Sequence, residues 1–131
     1  MNKRVLVVDD TELNRKLAAA ILRRFGWQAD EASGGQEALD MLTAEDSYQL
    51  VLLDIKMPGM SGEEVCKSIR ANPLTATLPL IAYTAHALED EVDSFLSLGF
   101  NAVLIKPISL ETLEASIEKA LGIHTELPEN L

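Results

Sequence analysis

Four short apolar runs and one more polar run recur along the chain, and a segment with helical character follows each of them. This alternation restricts the fold more than any other feature. The runs are Arg4-Val5-Leu6-Val7-Val8, Gln28 to Ala32, Val51-Leu52-Leu53, Leu80-Ile81-Ala82-Tyr83 and Ala102-Val103-Leu104-Ile105. Continuous apolar runs of this length suit strands buried on both faces, as in a parallel sheet covered by helices. The Gln28 run is more polar and belongs near a sheet edge. Strands alternating with helices give an α/β fold with right-handed crossovers.

The helical segments carry their own punctuation. Residues 12–25 place Leu13, Leu17, Ile21 and Phe25 at helical spacing, a stripe expected on one face, and Gly26 stops the helix. Ser33-Gly34-Gly35-Gln36 has the spacing of a capping box and opens a helix to about Ala44. Ser61-Gly62-Glu63-Glu64 is a second box, with Val65 and Ile69 expected inward. Asn72 to Pro79 reads as a loop and residues 86–98 as a helix ending at Gly99. Ser109 caps a last helix, where Leu110, Leu113, Ile117 and Leu121 repeat along one side. Residues 1–122 thus form one domain, and 123–131 a frayed tail.

Composition narrows the function. With 47% hydrophobic and 24% charged residues the chain is of globular type. The net charge of −10 argues against nucleic acid, which demands a basic surface. Cys66 is the only cysteine, so no internal disulfide forms and a reducing, cytoplasmic setting is expected. No run approaches a membrane span and no leader pattern opens the chain, so no direct membrane contact is expected.

Four strands end in residues able to do chemistry: Asp9-Asp10, Asp54, Thr84 and Lys106. In an open parallel sheet such ends meet along one crevice. Three carboxylates there repel; at an effective dielectric of about 20 each pair ~4 Å apart costs about 4 kcal/mol. Lys106 relieves part of this, and a divalent ion would relieve more. Oxygen ligands with little cage suit Mg2+, with Asp10 and Asp54 as direct ligands, Asp9 through water and the Lys56 carbonyl completing the set. A carboxylate, a hydroxyl, an ammonium and Mg2+ around one point suit phosphoryl transfer to Asp54.

At Val7-Val8-Asp9-Asp10, Leu53-Asp54-Ile55-Lys56-Met57-Pro58-Gly59-Met60-Ser61-Gly62, Ala82-Tyr83-Thr84-Ala85 and Ile105-Lys106-Pro107-Ile108 the chain resembles the receiver domains of two-component response regulators, over about residues 3–121. The resemblance implies a flavodoxin-like (βα)5 three-layer sandwich with strand order 2-1-3-4-5. It also implies a cis Lys106-Pro107 bond, Mg2+ dependence, phosphorylation of Asp54 by a phosphohistidine partner and slow self-dephosphorylation. Enzymatic character is then limited to this self-catalysed chemistry. Lys56 and His86 occupy positions that tune the hydrolytic water in similar receivers.

Asp10-Thr11-Glu12-Leu13-Asn14-Arg15 looks most like receivers of hybrid sensor kinases, which implies a sensor histidine kinase domain or a histidine phosphotransfer domain as partner. A stand-alone regulator acting by docking is the alternative. One departure stands out. Val103 occupies the switch position, three residues before Lys106, where the family usually carries Tyr or Phe, so coupling to the surface of the last two helices is expected to be weak. Tyr83 precedes Thr84 and should face the other side of the sheet.

Two other functions compete. A haloacid-dehalogenase-type phosphohydrolase would carry Asp-x-Asp after the first strand, whereas Asp9-Asp10 are adjacent. A flavin or nucleotide binder would want a phosphate loop where this chain has acids.

Overall fold

The computed structural model describes residues 3–44, 47–85 and 88–122. The elements run β1 (Arg4–Val8), α1 (Glu12–Arg24), β2 (Gln28–Ala32), α2 (Gly35–Ala44), β3 (Leu50–Asp54), α3 (Gly62–Ala71), β4 (Leu80–Thr84), α4 (Glu89–Leu98), β5 (Ala102–Ile105) and α5 (Leu110–Leu121). The five strands form one parallel sheet of order β2-β1-β3-β4-β5. The expected tail 123–131 and His86 lie outside the described residues.

Side-chain alternation divides the strands between two cores. Leu6, Val8, Val51, Leu53, Leu80 and Ala82 face one side with Val65, Ile69 and Phe95 from the helices. Val5, Val7, Leu50, Leu52, Ile81 and Tyr83 face the other with Ala18, Leu22, Leu113 and Ile117. Helices therefore cover both faces, and β3 and β4 are buried along their whole length. A fully buried leucine of this kind contributes about 1.5–3 kcal/mol relative to exposure.

Edge strand β2 tolerates its acids because each is answered from a neighbour. Tyr48 Oη and Arg4 Nη2 both donate to Asp30 Oδ2 at 2.6 Å. Arg15 Nε donates to Glu31 Oε1 at 3.0 Å and Lys16 Nζ to Glu31 Oε2 at 3.2 Å.

Helix α1 has the expected period but a different phase. Ala18, Ala19 and Leu22 are its buried residues, Ile21 and Phe25 are half-buried, and Leu13 and Leu17 are 77% and 48% exposed. Small alanines let the helix lie close to the sheet, which turns the leucines of the stripe outward. The cap of α2 is also shifted by one residue. Glu37, not Gln36, reaches back to Ser33 N at 2.7 Å and Ser33 Oγ at 3.0 Å, and Gln36 donates to Asp40 instead. Ser61 and Glu64 form the expected box at the start of α3. Helix α4 begins at Glu89, later than the expected 86. The Lys106-Pro107 bond is cis.

A guanidinium stitches the far end of the molecule. Arg70 donates from Nε and Nη2 to Gly99 O at 3.0 and 2.7 Å, from Nη1 to Leu78 O at 2.8 Å and Ala76 O at 3.1 Å, and from Nη2 to Asn101 Oδ1 at 3.0 Å. The end of α3, the loop before β4 and the turn after α4 are thereby joined. Among the described residues, no helix is long and apolar enough to cross a membrane.

Candidate functional site

Parallel register carries the chemistry-bearing residues to one edge. β1 pairs with β3 through Val8 and Leu53, so Asp9 and Asp54 end side by side. β3 pairs with β4 through Asp54 and Tyr83, which sets Thr84 one residue beyond. Lys106 N donates to Thr84 O at 2.8 Å and continues the ladder past β5. Helix α3 closes in from the side: Gly62 N donates to Ile55 O at 2.8 Å.

Asp9, Asp54 and Thr84 are buried there, with Asp54 only 4% exposed, whereas Asp10 is exposed. Lys106 Nζ lies 3.2 Å from Asp54 Oδ1 and 3.4 Å from Asp9 Oδ2. The other oxygen of Asp9 accepts the Thr11 N–H at 2.9 Å, which fixes the carboxylate against its own turn. Arg15 Nη1 donates to the Asp9 carbonyl at 2.8 Å while its Nε holds Glu31, so the turn bearing both acids is tied to β2. Beside the site lies a cleft of about 650 Å³, lined among others by Ile55, Lys56, Met57, Ser61, Thr84 and Phe95. Lys56 is exposed at that cleft, and Val103 is half-buried against the core under α3 and α4.

Tyr83 faces the core under α1 and α5, as its place in the strand requires. Even so, the Lys106 ammonium bends back over its ring, 4.4 Å from the centroid. The sequence assigns Tyr83 its face of the sheet, but it shows neither the contact of Tyr83 with Lys106 nor the role of Arg15. Their roles depend on where a flexible lysine and an edge strand come to rest. The only available signals are the Tyr83 position, one before Thr84, and the Arg15 position, one turn into α1.

Carboxylate oxygens of Asp9, Asp10 and Asp54 lie within 4.8 Å of one another. Three anionic oxygen donors against one ammonium leave a negative excess, and a set of hard oxygens with one exposed member suits a hard, hydrated cation better than a soft metal.

Burial, and then the neighbouring Asp9 charge, push the Asp54 carboxyl from its ordinary 3.8 up to about 6, against the opposing pull of Lys106. Between those two values the folded protein keeps a proton that the unfolded chain has lost. Asp54 therefore favours folding below about pH 4, and this contribution, on the order of 2–3 kcal/mol, disappears as pH rises through 6. Asp30 and Glu31 work in the opposite sense. Burial opposes their ionisation, but hydrogen bonds from Tyr48 and Arg4, and from Lys16 and Arg15, outweigh it and hold both below the usual range. Their contribution is lost as pH falls into the acid range. In EDTA, stability is expected to peak at about pH 4, where Asp54 still keeps its proton and Asp30 and Glu31 begin to take theirs up, and to decline toward pH 7.5. The urea midpoint followed by fluorescence of buried Trp27 measures it; a midpoint that rises steadily to pH 7.5 would contradict the Asp54 shift.

Residues 5–118 match the family model of the response regulator receiver domain. Aerobic respiration control sensor protein ArcB of Escherichia coli K12 is 39% identical over 116 residues, covering 88% of this chain and 15% of that protein. Sensor histidine kinase RcsC of Salmonella typhimurium is 37% identical over 113 residues, covering 86% of the chain and 12% of that protein. The chain thus spans less than a sixth of the length of these relatives. Among solved structures, chemotaxis protein CheY4 of Vibrio cholerae superposes with a TM-score of 0.85 at 26% identity, over 92% of this chain and 100% of that one. The receiver domain of sensor histidine kinase PA1611 from Pseudomonas aeruginosa, with magnesium coordinated in its active-site cleft, gives 0.82 at 27% identity, over 93% and 99%.

The chain belongs to the response regulator receiver domain family, the phosphorelay modules of two-component signalling. Within that family its sequence is homologous to receivers carried by hybrid sensor kinases.

Proposed function

We propose that Asp54 is the phosphoacceptor and takes a phosphoryl group from a phosphohistidine on a sensor kinase or histidine phosphotransfer domain. The observation that carries this is the buried Asp54 carboxylate on rigid strand backbone, with the Lys106 ammonium 3.2 Å from one of its oxygens. With a carboxyl near 6, Asp54 is mostly ionised at neutral pH and needs no separate base. An Asp54 oxygen attacks phosphorus as the phosphorus–nitrogen bond breaks, and the imidazole leaves. The Lys106 ammonium and Thr84 hydroxyl offer donors to the phosphoryl oxygens as charge builds on them.

Asp10 and Asp54 would hold Mg2+, with Asp9 through water and the Lys56 carbonyl. The ion, when bound, supplies charge neutralisation for the transferring group. Arg15 and the Thr11 N–H keep Asp9 in place meanwhile, through its carbonyl and its carboxylate. Hydrolysis of the aspartyl phosphate returns the acid, and Lys56 at the cleft, with His86, is positioned in sequence to tune access of water. Valine at 103 has no ring to reorient, so the phosphorylated state is read mainly by onward transfer to a histidine domain rather than by a remodelled α4–α5 surface.

Exposed Leu13 and Leu17 on α1, next to the acidic turn, form the face for a helical histidine-bearing partner. Leu13→Asp is expected to slow transfer from a phosphohistidine domain on the order of tenfold, with uptake from acetyl phosphate unchanged. Intact mass against time measures both. Equal slowing with both donors would place Leu13 in folding, and no slowing with either would remove α1 from the interface.

A further inference from the structure

Lys106 begins beyond β5 and must cross the end of β4 to reach acids on β3 and β1. Two of its partners are those acids, at 3.2 and 3.4 Å, with unlike and not especially short geometry. The third is the face of Tyr83, 4.4 Å from the ammonium. Tyr83 is 2% exposed, packed on Leu104 by register and opposite Asp54 across the β3–β4 ladder. The ring is therefore a fixed platform beneath a flexible four-carbon stem. A cation over a π-face is attracted to it, and more strongly as water is excluded; here the ring is buried and the Lys106 side chain is 18% exposed. Leucine or valine at this place would give the ammonium a hydrocarbon neighbour with no such attraction.

From this juxtaposition we infer that Tyr83 is a positioning residue for Lys106, holding the ammonium at the height where it meets the Asp54 oxygen. This rests on the phosphoacceptor reading of Asp54. The contact gives this chain an aromatic beside the site from β4, whereas position 103 on β5 carries valine. It acts on the placement of a transferring group's cation and needs no ring rotation. Burial, and then the charges of Asp9 and Asp54, raise the phenol to about 12, so the ring stays neutral across the working pH range.

The test compares the full chain with Tyr83→Phe and Tyr83→Leu. In wild type, the Lys106 Cε protons are expected upfield of the other lysines through the ring current, assigned by their loss in Lys106→Arg. Phe should keep that shift and Leu should lose it. Initial rates of phosphoryl uptake from acetyl phosphate with Mg2+ should stay within about twofold for Phe and fall about five- to tenfold for Leu, the size expected of a partly shielded cation–π contact. The acetyl phosphate concentration for half-maximal rate should not move. A Lys106 resonance without an upfield shift in wild type would overturn the inference without needing any variant to fold. So would Phe as slow as Leu, or Leu as fast as wild type. Should wild type take up no phosphoryl group while the Lys106 shift is present, the phosphoacceptor reading falls and the Tyr83–Lys106 contact stands.

Discussion

Asp54→Asn is expected to abolish phosphoryl uptake completely and to leave a protein that, without metal, is more stable than wild type at pH 7.5. The amide keeps the volume of the carboxylate but is a poor nucleophile and carries no charge. Wild-type Asp54 is ionised at that pH against burial and against Asp9. Removing that repulsion stabilises the fold, and leaving Lys106 with Asp9 alone subtracts part of the gain. A net rise on the order of 1–2 kcal/mol corresponds to several degrees in Tm. At pH 5, where wild-type Asp54 is largely protonated, the gain should shrink. Intact mass after acetyl phosphate and Mg2+, with thermal melts in EDTA at both pH values, measures the pair of effects. A phosphoryl adduct that persists in the asparagine protein would move the acceptor elsewhere. Equal gains at both pH values would detach the stability effect from ionisation.

A large structural loss is expected at Gly62, comparable with truncating a core leucine. A Cβ placed there would lie 2.2 Å from the Asp54 carbonyl oxygen and 2.8 Å from Ile55 Cα. Both are backbone atoms, so no side chain can swing away to relieve the overlap. Helix α3 would have to withdraw from the end of β3, and the Gly62 N–H would lose Ile55 O. Gly62→Ala should cost about 3 kcal/mol or more, at the upper end of overpacking losses. The fall in Tm, roughly 10 °C or more, should come with a slower phosphoryl uptake, because the nearest strained atom is the carbonyl oxygen of Asp54, the proposed acceptor. A melt within about 2 °C of wild type would show that the β3–α3 junction yields more easily than its packing suggests.

These two sites differ in how far a linear reading reaches. Asp54 was legible because a strand buried on both faces must be apolar from end to end, so a carboxylate terminating it stands out. The same logic located Asp9, Thr84 and Lys106, and strand order followed from the family resemblance, with β2 at the edge because its sequence is polar. Helix α1 was harder. Helical spacing fixes which residues share a face but not which face meets the sheet. Ala18 and Ala19 went inward because close approach rewards small side chains as much as large ones. At α2, Glu37 displaced Gln36 because the helix starts two residues after Ser33, which moves the reach-back by one position. The contacts of Tyr83 and Arg15 escape a linear reading for a different reason. Each depends on a long side chain reaching a group elsewhere, Lys106 the Tyr83 ring and Arg15 the Asp9 carbonyl, and no local pattern encodes such an arrival.

The Arg70 stitch has a mechanical consequence for α4. Gly99, just past the helix, has its carbonyl gripped by two nitrogens of one guanidinium, and Phe95 and Phe100 lock edge to face across the same turn at 5.9 Å. The opposite end starts at Glu89, close in sequence to Thr84, and its first turn of Glu89, Asp90 and Glu91 is exposed. A helix anchored in this way is expected to yield last at its Gly99 end and first at Glu89–Val92, so hydrogen exchange should be fastest in that first turn.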